Sequence, residues 1–396
     1  MDARKPAQRR LMPVAAVAET DFVVVGGGPV GCALALLLER AGADVALLDA
    51  RRWDEPPRDP RLLALSWGSR LLLERAGVWS ELKGATPIET VHVSEAGGFG
   101  QTVIKPADAG VPTLGYVIEF GAVLSALRAR LRRSAVMIAE GTVVDAVATE
   151  PDAVTVAGGG SARGRLAVLA DGGAHLDRLG FQAVERRYGQ SALVARVETD
   201  APSRGVAYER FTPEGPVALL PSGNGWGLVW TLAPEKAQAL QELSEPDFLA
   251  ALQQRFGARA GRFVAVHGRA AYPLARRWVR DPVGERCVLV GNAAHTLHPV
   301  AGQGLNLGLR DAGALAELAA TTPRADWGSA GWLARYRRSR RLDVGAGIAV
   351  TDALVRVFSN DVAPLRVARD LGLSVLGCLP PARGFLARRM IFGALG

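Results

Sequence analysis

Phe22-Val23-Val24-Val25-Gly26-Gly27-Gly28-Pro29-Val30-Gly31, followed by Leu34, Leu37 and Leu38 at helical spacing and by Val45-Ala46-Leu47-Leu48-Asp49, decides the fold of this chain. The apolar tetrapeptide reads as a strand, the leucines as a helix, and Val45 to Leu48 as a second strand. In the Gly26-x-Gly28-x-x-Gly31 spacing the first glycine makes a tight turn. The second lets backbone approach a pyrophosphate, and the third lets helix pack on strand. The helix N-terminus offers free N–H groups to phosphate charge, and Asp49, ending the second strand, is placed to bind ribose hydroxyls. The stretch predicts a dinucleotide site and leaves open which dinucleotide, since NAD and FAD enzymes share it.

A second stretch makes that choice. Gly291-Asn292-Ala293-Ala294-His295-Thr296-Leu297-His298-Pro299-Val300-Ala301-Gly302-Gln303-Gly304-Leu305-Asn306 follows a buried-type strand, Cys287 to Val290, and opens a helix through Leu309, Ala312 and Leu315. A second helix N-terminus can lie against a flavin ring and favour negative charge at its pyrimidine end. A simple NAD dehydrogenase has no use for one. Asn292, Gly302, Gly304, Leu305 and Asn306 are therefore cofactor candidates beside Gly26, Gly28, Gly31 and Asp49, and the cofactor expected is FAD. His295 and His298 are candidates for proton transfer, with hydrogen bonding inside the loop as the competing reading.

The 396 residues suggest two or three packed units; 49% are apolar and 22% charged, the balance of a globular protein. The net charge of +8 calls for an anionic partner: nucleic acid, anionic lipid or a phosphate-bearing cofactor. Zinc-ligand spacing, an RNP-like aromatic pattern and a continuous basic stripe are all missing, so neither nucleic acid nor a metal is expected. Cys32, Cys287 and Cys378, odd in number and unevenly spaced, fit a reducing cytoplasm. Arg4, Lys5, Arg9 and Arg10 before Ala16-Val17-Ala18 imitate a secretory signal poorly because Pro13 interrupts, and residues 1–20 read as a flexible basic extension. No run approaches the ~20 apolar residues of a membrane span, so any membrane contact is expected to be peripheral.

The expected architecture is α/β. A Rossmann-like FAD-binding domain is assembled from residues 21–90, 119–180 and 281–325. Strands at 91–118 and a strand-rich stretch at 181–280 form a substrate domain inserted in it, and 326–396 are C-terminal helices. Val143 to Val147, Val154 to Val156 and Leu166 to Ala170 read as a meander, and Val217 to Leu220 with Trp226 to Leu232 as a hairpin. Trp226 and Trp230 share a strand face and with Pro299 are candidates for an aromatic-substrate pocket, core packing being the alternative. Arg383 to Gly396 mixes Phe385, Leu386, Met390, Ile391 and Phe392 with Arg383, Arg388 and Arg389. Such an end can rest on lipid or a partner protein, or pack as a terminal helix with a snorkelling rim.

The stretch from Val288 to Asp311 resembles the flavin-binding signature of the class A flavoprotein hydroxylases, and more narrowly of the UbiH-type hydroxylases of ubiquinone biosynthesis. Most of the wider group carry aspartate at the position of Asn292. Further matches are Arg61 to Ser66, Thr90 to Ser94, Arg210-Phe211-Thr212 with Gly215-Pro216 and Leu220-Pro221, Ala271 to Leu274, and Thr351-Asp352 with Phe358-Ser359-Asn360. The resemblance implies hydroxylation of a prenylated phenol with NAD(P)H and O2 as co-substrates through a flavin hydroperoxide, with contact to the inner membrane or a quinone-synthesis assembly. It implies Arg61 near the flavin, Arg128 near its phosphates and Asp171 facing its ribityl or pyrophosphate. For Arg128 a solvated helical face with Arg130, Arg132 and Arg133 is the competing reading. The order Gly173-Ala174-His175-Leu176-Asp177-Arg178 departs from the serine and arginine usual after Asp171-Gly172, which implies a less supported turn and altered flavin affinity. A catalytically silent scaffold and a hydroxylase of another aromatic compound are the alternatives.

Overall fold

The computed structural model describes residues 17–55, 57, 59, 61–297, 302–358 and 363–393. The chain opens with β1 (Val17–Glu19), β2 (Phe22–Val25), α1 (Pro29–Arg40) and β3 (Val45–Asp49). Next come β4 (Leu62–Ser66), α2 (Trp67–Arg75), β5 (Thr86–Ile88), β6 (Thr90–Glu95), β7 (Gln101–Ile104) and α3 (Pro106–Ala109). They lead to β8 (Gly115–Glu119), α4 (Phe120–Leu131), β9 (Met137–Glu140), β10 (Val144–Thr149), β11 (Val154–Gly158), β12 (Ser161–Gly164) and β13 (Leu166–Leu169). The middle holds β14 (Ala183–Thr199), β15 (Val206–Phe211), β16 (Val217–Ser222), β17 (Gly225–Leu232), α5 (Pro234–Glu242), α6 (Glu245–Phe256) and β18 (Phe263–Val279). The last part is β19 (Val283–Gly284), β20 (Cys287–Leu289), β21 (His295–Thr296), α7 (Gln303–Ala320), α8 (Ala330–Phe358), α9 (Ala363–Cys378) and α10 (Pro380–Phe392).

Six strands in the order β19-β20-β13-β2-β3-β9 make the dinucleotide-type sheet, parallel except at its β19 edge. Its strands are apolar runs because both faces are covered: Phe22, Val24 and Leu47 join the cluster under α1, α4 and α7, while Val23, Val25 and Leu48 join a second cluster on the other side. Two readings of the sequence need correction. Leu166 to Leu169 is not the third strand of the meander; it lies between β2 and β20 in the parallel sheet, fully buried as a central strand must be. The meander's third strand is instead β12, which also pairs in parallel with β1, so Val17 to Glu19 is strand and not part of a loose extension. The remaining residues of that extension lie outside the described ones.

The second sheet has eight strands in the order β21-β18-β14-β17-β16-β15-β6-β7. It gathers segments 90–104 and 183–279, and β8 goes instead to a small sheet with β4 and β5. β14 and β18 are both 17 residues long and pair through three register shifts, which let a ribbon this long bend without breaking its ladder. Helices α5 and α6 cover one face of this sheet; the other looks toward the dinucleotide domain.

Glycine at position 31 is enforced by backbone. A Cβ there would lie 2.0 Å from the Gly26 carbonyl oxygen, so α1 can touch the β2 turn only without a side chain. Gly31→Ala should therefore lose about 2–3 kcal/mol, seen as a lower urea midpoint at unchanged slope.

Candidate functional site

One cavity of about 1850 Å³ runs from the Gly26 turn, past the start of α7, across the open face of the eight-stranded sheet to α9 and α10. Pockets for a single small ligand measure roughly 300–1,000 Å³, so this space can hold a dinucleotide and a second molecule end to end. Its walls are built by contacts between distant parts of the chain.

The three glycines of the first motif differ in their surroundings. Gly26 has φ +109°, and a Cβ on it would lie 2.6 Å from the Ala170 backbone, so it makes the turn. Gly28 faces open cavity: beyond its chain neighbours nothing lies within 4 Å of where its Cβ would be. Gly31 is the packing contact. A bare backbone beside a helix N-terminus is the surface a pyrophosphate needs, and FAD fits it. Gly27, which sequence reasoning passed over, is fixed as well, because a Cβ there would lie 2.3 Å from Asp49 Oδ2.

Asp49 lines the cavity but is already engaged. Its Oδ2 accepts the Trp53 indole N–H at 2.6 Å and lies 3.3 Å from an Arg128 nitrogen, while Oδ1 accepts the Arg51 N–H at 3.2 Å. Arg128 is buried, which rules out the solvated-face reading. Its guanidinium lies over the Trp53 ring at 4.8 Å, lines the cavity, and keeps a shielded Nε with no partner. An anionic ligand would satisfy that donor. Arg132 and Arg133 instead reach Glu140 and Glu81 at the surface. Arg61 stands at the cavity edge, exposed, paired with Asp59 at 2.5 Å and 5.3 Å above Phe120.

The second segment brings Asn292, Thr296, Leu297, Gly302, Gly304 and Leu305 to the same cavity, and nothing outside the adjoining helix backbone lies within 4 Å of a Cβ placed on Gly304. Helix α7 presses on α1 here, since a Cβ at Gly308 would lie 2.7 Å from Val30 Cγ2 and 3.0 Å from Gly291 Cα. The two helix N-termini therefore open side by side.

Asn306 does not face the cavity. Its amide nitrogen donates to the carbonyls of Ala64 and Gly302 at 2.9 and 2.8 Å, and its oxygen accepts from the Ser66 N–H and the Ser69 hydroxyl at 2.8 and 2.7 Å. Every hydrogen-bonding site of that amide is used, so Asn306 holds the Gly302 turn against β4 and α2 and has nothing left for a cofactor.

His295 also belongs to the frame. It is buried away from the cavity, and its Nε2 meets Asp311 Oδ2 at 2.7 Å. Asp311 also takes the Gly291 N–H at 3.0 Å and the Arg340 Nε at 2.8 Å, tying the glycine turn to α7 and α8. With no path to a substrate, His295 cannot serve as its proton carrier. Burial pushes the Asp311 carboxyl up, but the charges of His295 and Arg340, with hydrogen bonds from His295 and Gly291, outweigh burial and hold it at about 2. His298 and Pro299 lie outside the described residues.

The turn after β13 is supported in an unforeseen way. Asp171 lines the cavity and accepts the Gly173 N–H at 2.9 Å; His175 Nδ1 meets its other oxygen at 2.5 Å while His175 Nε2 reaches the Val144 carbonyl at 2.7 Å. Arg277 donates to the carbonyls of Gly172 and, at 3.1 Å, Asn292, joining this turn to the second glycine segment. The missing serine and arginine are replaced, and the expected weakness of the turn is not seen.

Trp226 and Trp230 face the wrong way for a substrate pocket. Both are buried with Leu193, Phe248 and Leu252 under α5 and α6, while their strand neighbours Gly227 and Val229 line the cavity. The pairing of every second residue was read correctly, but which face is covered depends on helices remote in sequence. In the C-terminal run, α10 is packed through Gly384, Ala387 and Ile391, and the Ile391 carbonyl accepts the Ser66 hydroxyl at 3.0 Å. Phe385 of α10 is exposed, and α9 exposes Leu365, Val367, Leu371 and Val375. Among the described residues no helix is long and apolar enough to cross a membrane.

Asp311→Asn should lower stability by about 3 kcal/mol in denaturant titration, because it leaves buried cationic groups short of a counter-charge. The Asp311 carboxyl is held below its ordinary 3.8, so the stability it contributes is complete above about pH 3.8 and is lost as pH falls toward 2. The wild-type protein should show that acid loss, and the asparagine variant should not.

Over residues 19–349 the sequence matches the family described as the FAD binding domain. It is 37% identical over 384 residues to ubiquinone hydroxylase UbiL of Rhodospirillum rubrum, covering 93% of this chain and 88% of that protein. It is 32% identical over 401 residues to 3-demethoxyubiquinol 3-hydroxylase of Escherichia coli, covering 95% of this chain and 98% of that one. Among solved structures, p-nitrophenol 4-monooxygenase PnpA from Pseudomonas putida superposes with a TM-score of 0.77 at 21% identity, over 95% of this chain and 99% of that one, a likeness of fold.

Proposed function

The chain belongs to the FAD-binding-domain family of flavoprotein monooxygenases, and from that premise we propose that it hydroxylates the aromatic ring of a prenylated phenol in ubiquinone biosynthesis, using NAD(P)H and O2. The observation that carries this reading is the continuity of the cavity. From the bare backbone at Gly28 and Gly304 it passes into an apolar stretch lined by Val91, Ile104, Leu220, Leu373, Leu376 and Leu386. A polar dinucleotide suits the first part and a ring with a long hydrocarbon tail suits the second.

Gly28, Arg128 and Asp171 would hold the phosphate and ribityl parts of FAD, and the N-terminus of α7 at Gly304 and Leu305 its ring. Bound there, FAD supplies what no side chain of the cavity can, acceptance of a hydride and activation of O2. The protein's own part is to position and to exclude water. The helix N-termini favour negative charge at the ring, the Asp311 and Asn306 networks keep the two turns at fixed separation, and the sheet presents an apolar floor that keeps water from the reacting centre.

The far end of the cavity reaches the surface between α8 and α9. Val350, Val357 and Leu365 both line it and stand exposed, and α9 also exposes Leu371 and Val375. Arg366 and Arg388 lie exposed on α9 and α10. Such a rim, apolar with flanking cations, suits an anionic bilayer surface from which a prenylated substrate can enter. Peripheral contact with the inner membrane through α9 is part of this reading.

The reaction is tested by supplying the FAD-loaded protein with NADH or NADPH, a prenylated phenol and ¹⁸O2. One labelled oxygen atom in the product ring is expected. NAD(P)H oxidation with unlabelled phenol recovered would mean a flavin reductase, and a protein that cannot be loaded with FAD would mean a scaffold; either result overturns the proposal.

A further inference from the structure

The floor of the cavity carries one carboxyl that none of the roles above uses. Glu209 lies on β15 and lines the cavity together with Ala207 and Phe211, two residues to either side of it on the same strand face. Its strand partners are Val93 on β6 and Ala218 on β16, which also line the cavity. Glu209 is therefore an acid set in an apolar carpet. Its Oε1 is sealed from solvent and has no hydrogen-bond partner among the described residues.

A shielded, unpartnered carboxyl is costly, and its neighbours do not relieve it. On its own strand Arg210 alternates to the opposite face. On β6, His92 pairs in register with Tyr208 and meets Arg259, which also donates to Gln101, and Glu95 is bound by Arg369 of α9 at 2.5 Å. Asp370, also on α9, accepts the Gly100 N–H at 2.8 Å. β16 carries no ionisable residue. Burial alone pushes the Glu209 carboxyl up to about 7. A group with that affinity for protons takes one up and gives it back near neutral pH.

Resting on the reading of the cavity as a phenol site, we propose that Glu209 is a catalytic residue whose carboxylate binds the ring hydroxyl of the substrate and removes its proton. The hydroxyl O–H bond breaks and an O–H bond forms on a Glu209 oxygen, while the electron pair stays on the phenolate oxygen. No electrons enter or leave the pair of groups. From that oxygen the charge enriches the ring carbons ortho and para to it, which makes them better acceptors of an electrophilic oxygen atom. The proton returns to the product oxygen before release. An aryl ether offers no proton, so the same carboxylate would discriminate phenols from their ethers.

The test uses 4-dodecylphenol and its methyl ether with the FAD-loaded protein, following dissociation constants by perturbation of the flavin spectrum and turnover of the phenol. The wild-type protein should bind the phenol about tenfold more tightly than the ether, the worth of one good hydrogen bond to a charged group. Glu209→Leu should bind the two alike with affinity for the ether kept, which also establishes that the variant is folded. Glu209→Gln, still an acceptor but a poor base, should keep much of the preference and lose about 100-fold in kcat without a matching rise in KM. Unchanged preference and turnover in both variants would overturn the role of Glu209 and leave the cavity reading intact. Failure of the wild-type protein to bind either probe would overturn the cavity reading, and the role of Glu209 with it.

Discussion

The distance at which α1 and α7 enter the cavity sets everything else in it. Both helices bring free N–H groups to one space, and they lie side by side because Gly308 lets α7 sit on Val30 and on the Gly291 turn with no side chain between them. Gly31 plays the same part between α1 and the β2 turn. Two such contacts bring into one wall segments separated by some 260 positions of sequence. A methyl group at either place would separate the helices by an amount comparable to the fit a cofactor demands.

Close approach alone would not hold against the charge of so many buried polar groups. The Asp311 carboxylate answers for the second turn by taking the Gly291 N–H, His295 and Arg340 together. Asn306 answers for the Gly302 turn, and Asp171 with His175 for the turn after β13. Each cluster uses its polar atoms to fix backbone and leaves bare glycine or a free helix N-terminus facing the cavity. His295, Asn306 and Asp311 thus lie behind the wall, while Asn292 and Thr296 line it.

That division explains what the sequence disclosed. The strand-turn-helix unit and the second glycine segment were legible because their geometry is local: periodicity and glycine spacing act within about ten residues. Asn306 is special but serves the frame and not the cofactor, and of the two readings open for His295 hydrogen bonding is the one the fold gives, since only the folded chain brings Ser66 to Asn306 and Asp311, with Arg340 behind it, to His295. For Trp226 and Trp230 the sequence leaves a pocket and core packing both open, because alternation gives a strand two faces without saying which one α5 and α6 will cover; the fold gives them core packing. Leu166 to Leu169 went to the wrong sheet for the related reason that a fully buried strand has no alternation to read. Gly27, His175 and Glu209 carried no local signal, although the acid in Tyr208-Glu209-Arg210-Phe211 breaks an otherwise apolar inward face and could have been noticed on that ground.

The claim that both glycine segments hold one FAD is tested most directly by titrating the apoprotein with FAD, comparing wild type with Gly28→Val and Gly304→Val. A Cβ at either position meets nothing within 4 Å beyond the adjoining chain, so both variants should fold with denaturation midpoints close to wild type. The account predicts one FAD per chain for the wild-type protein and a large loss of affinity in both variants. Undiminished FAD binding by a folded Gly304→Val protein would contradict it, for the second segment would then not touch the cofactor at all.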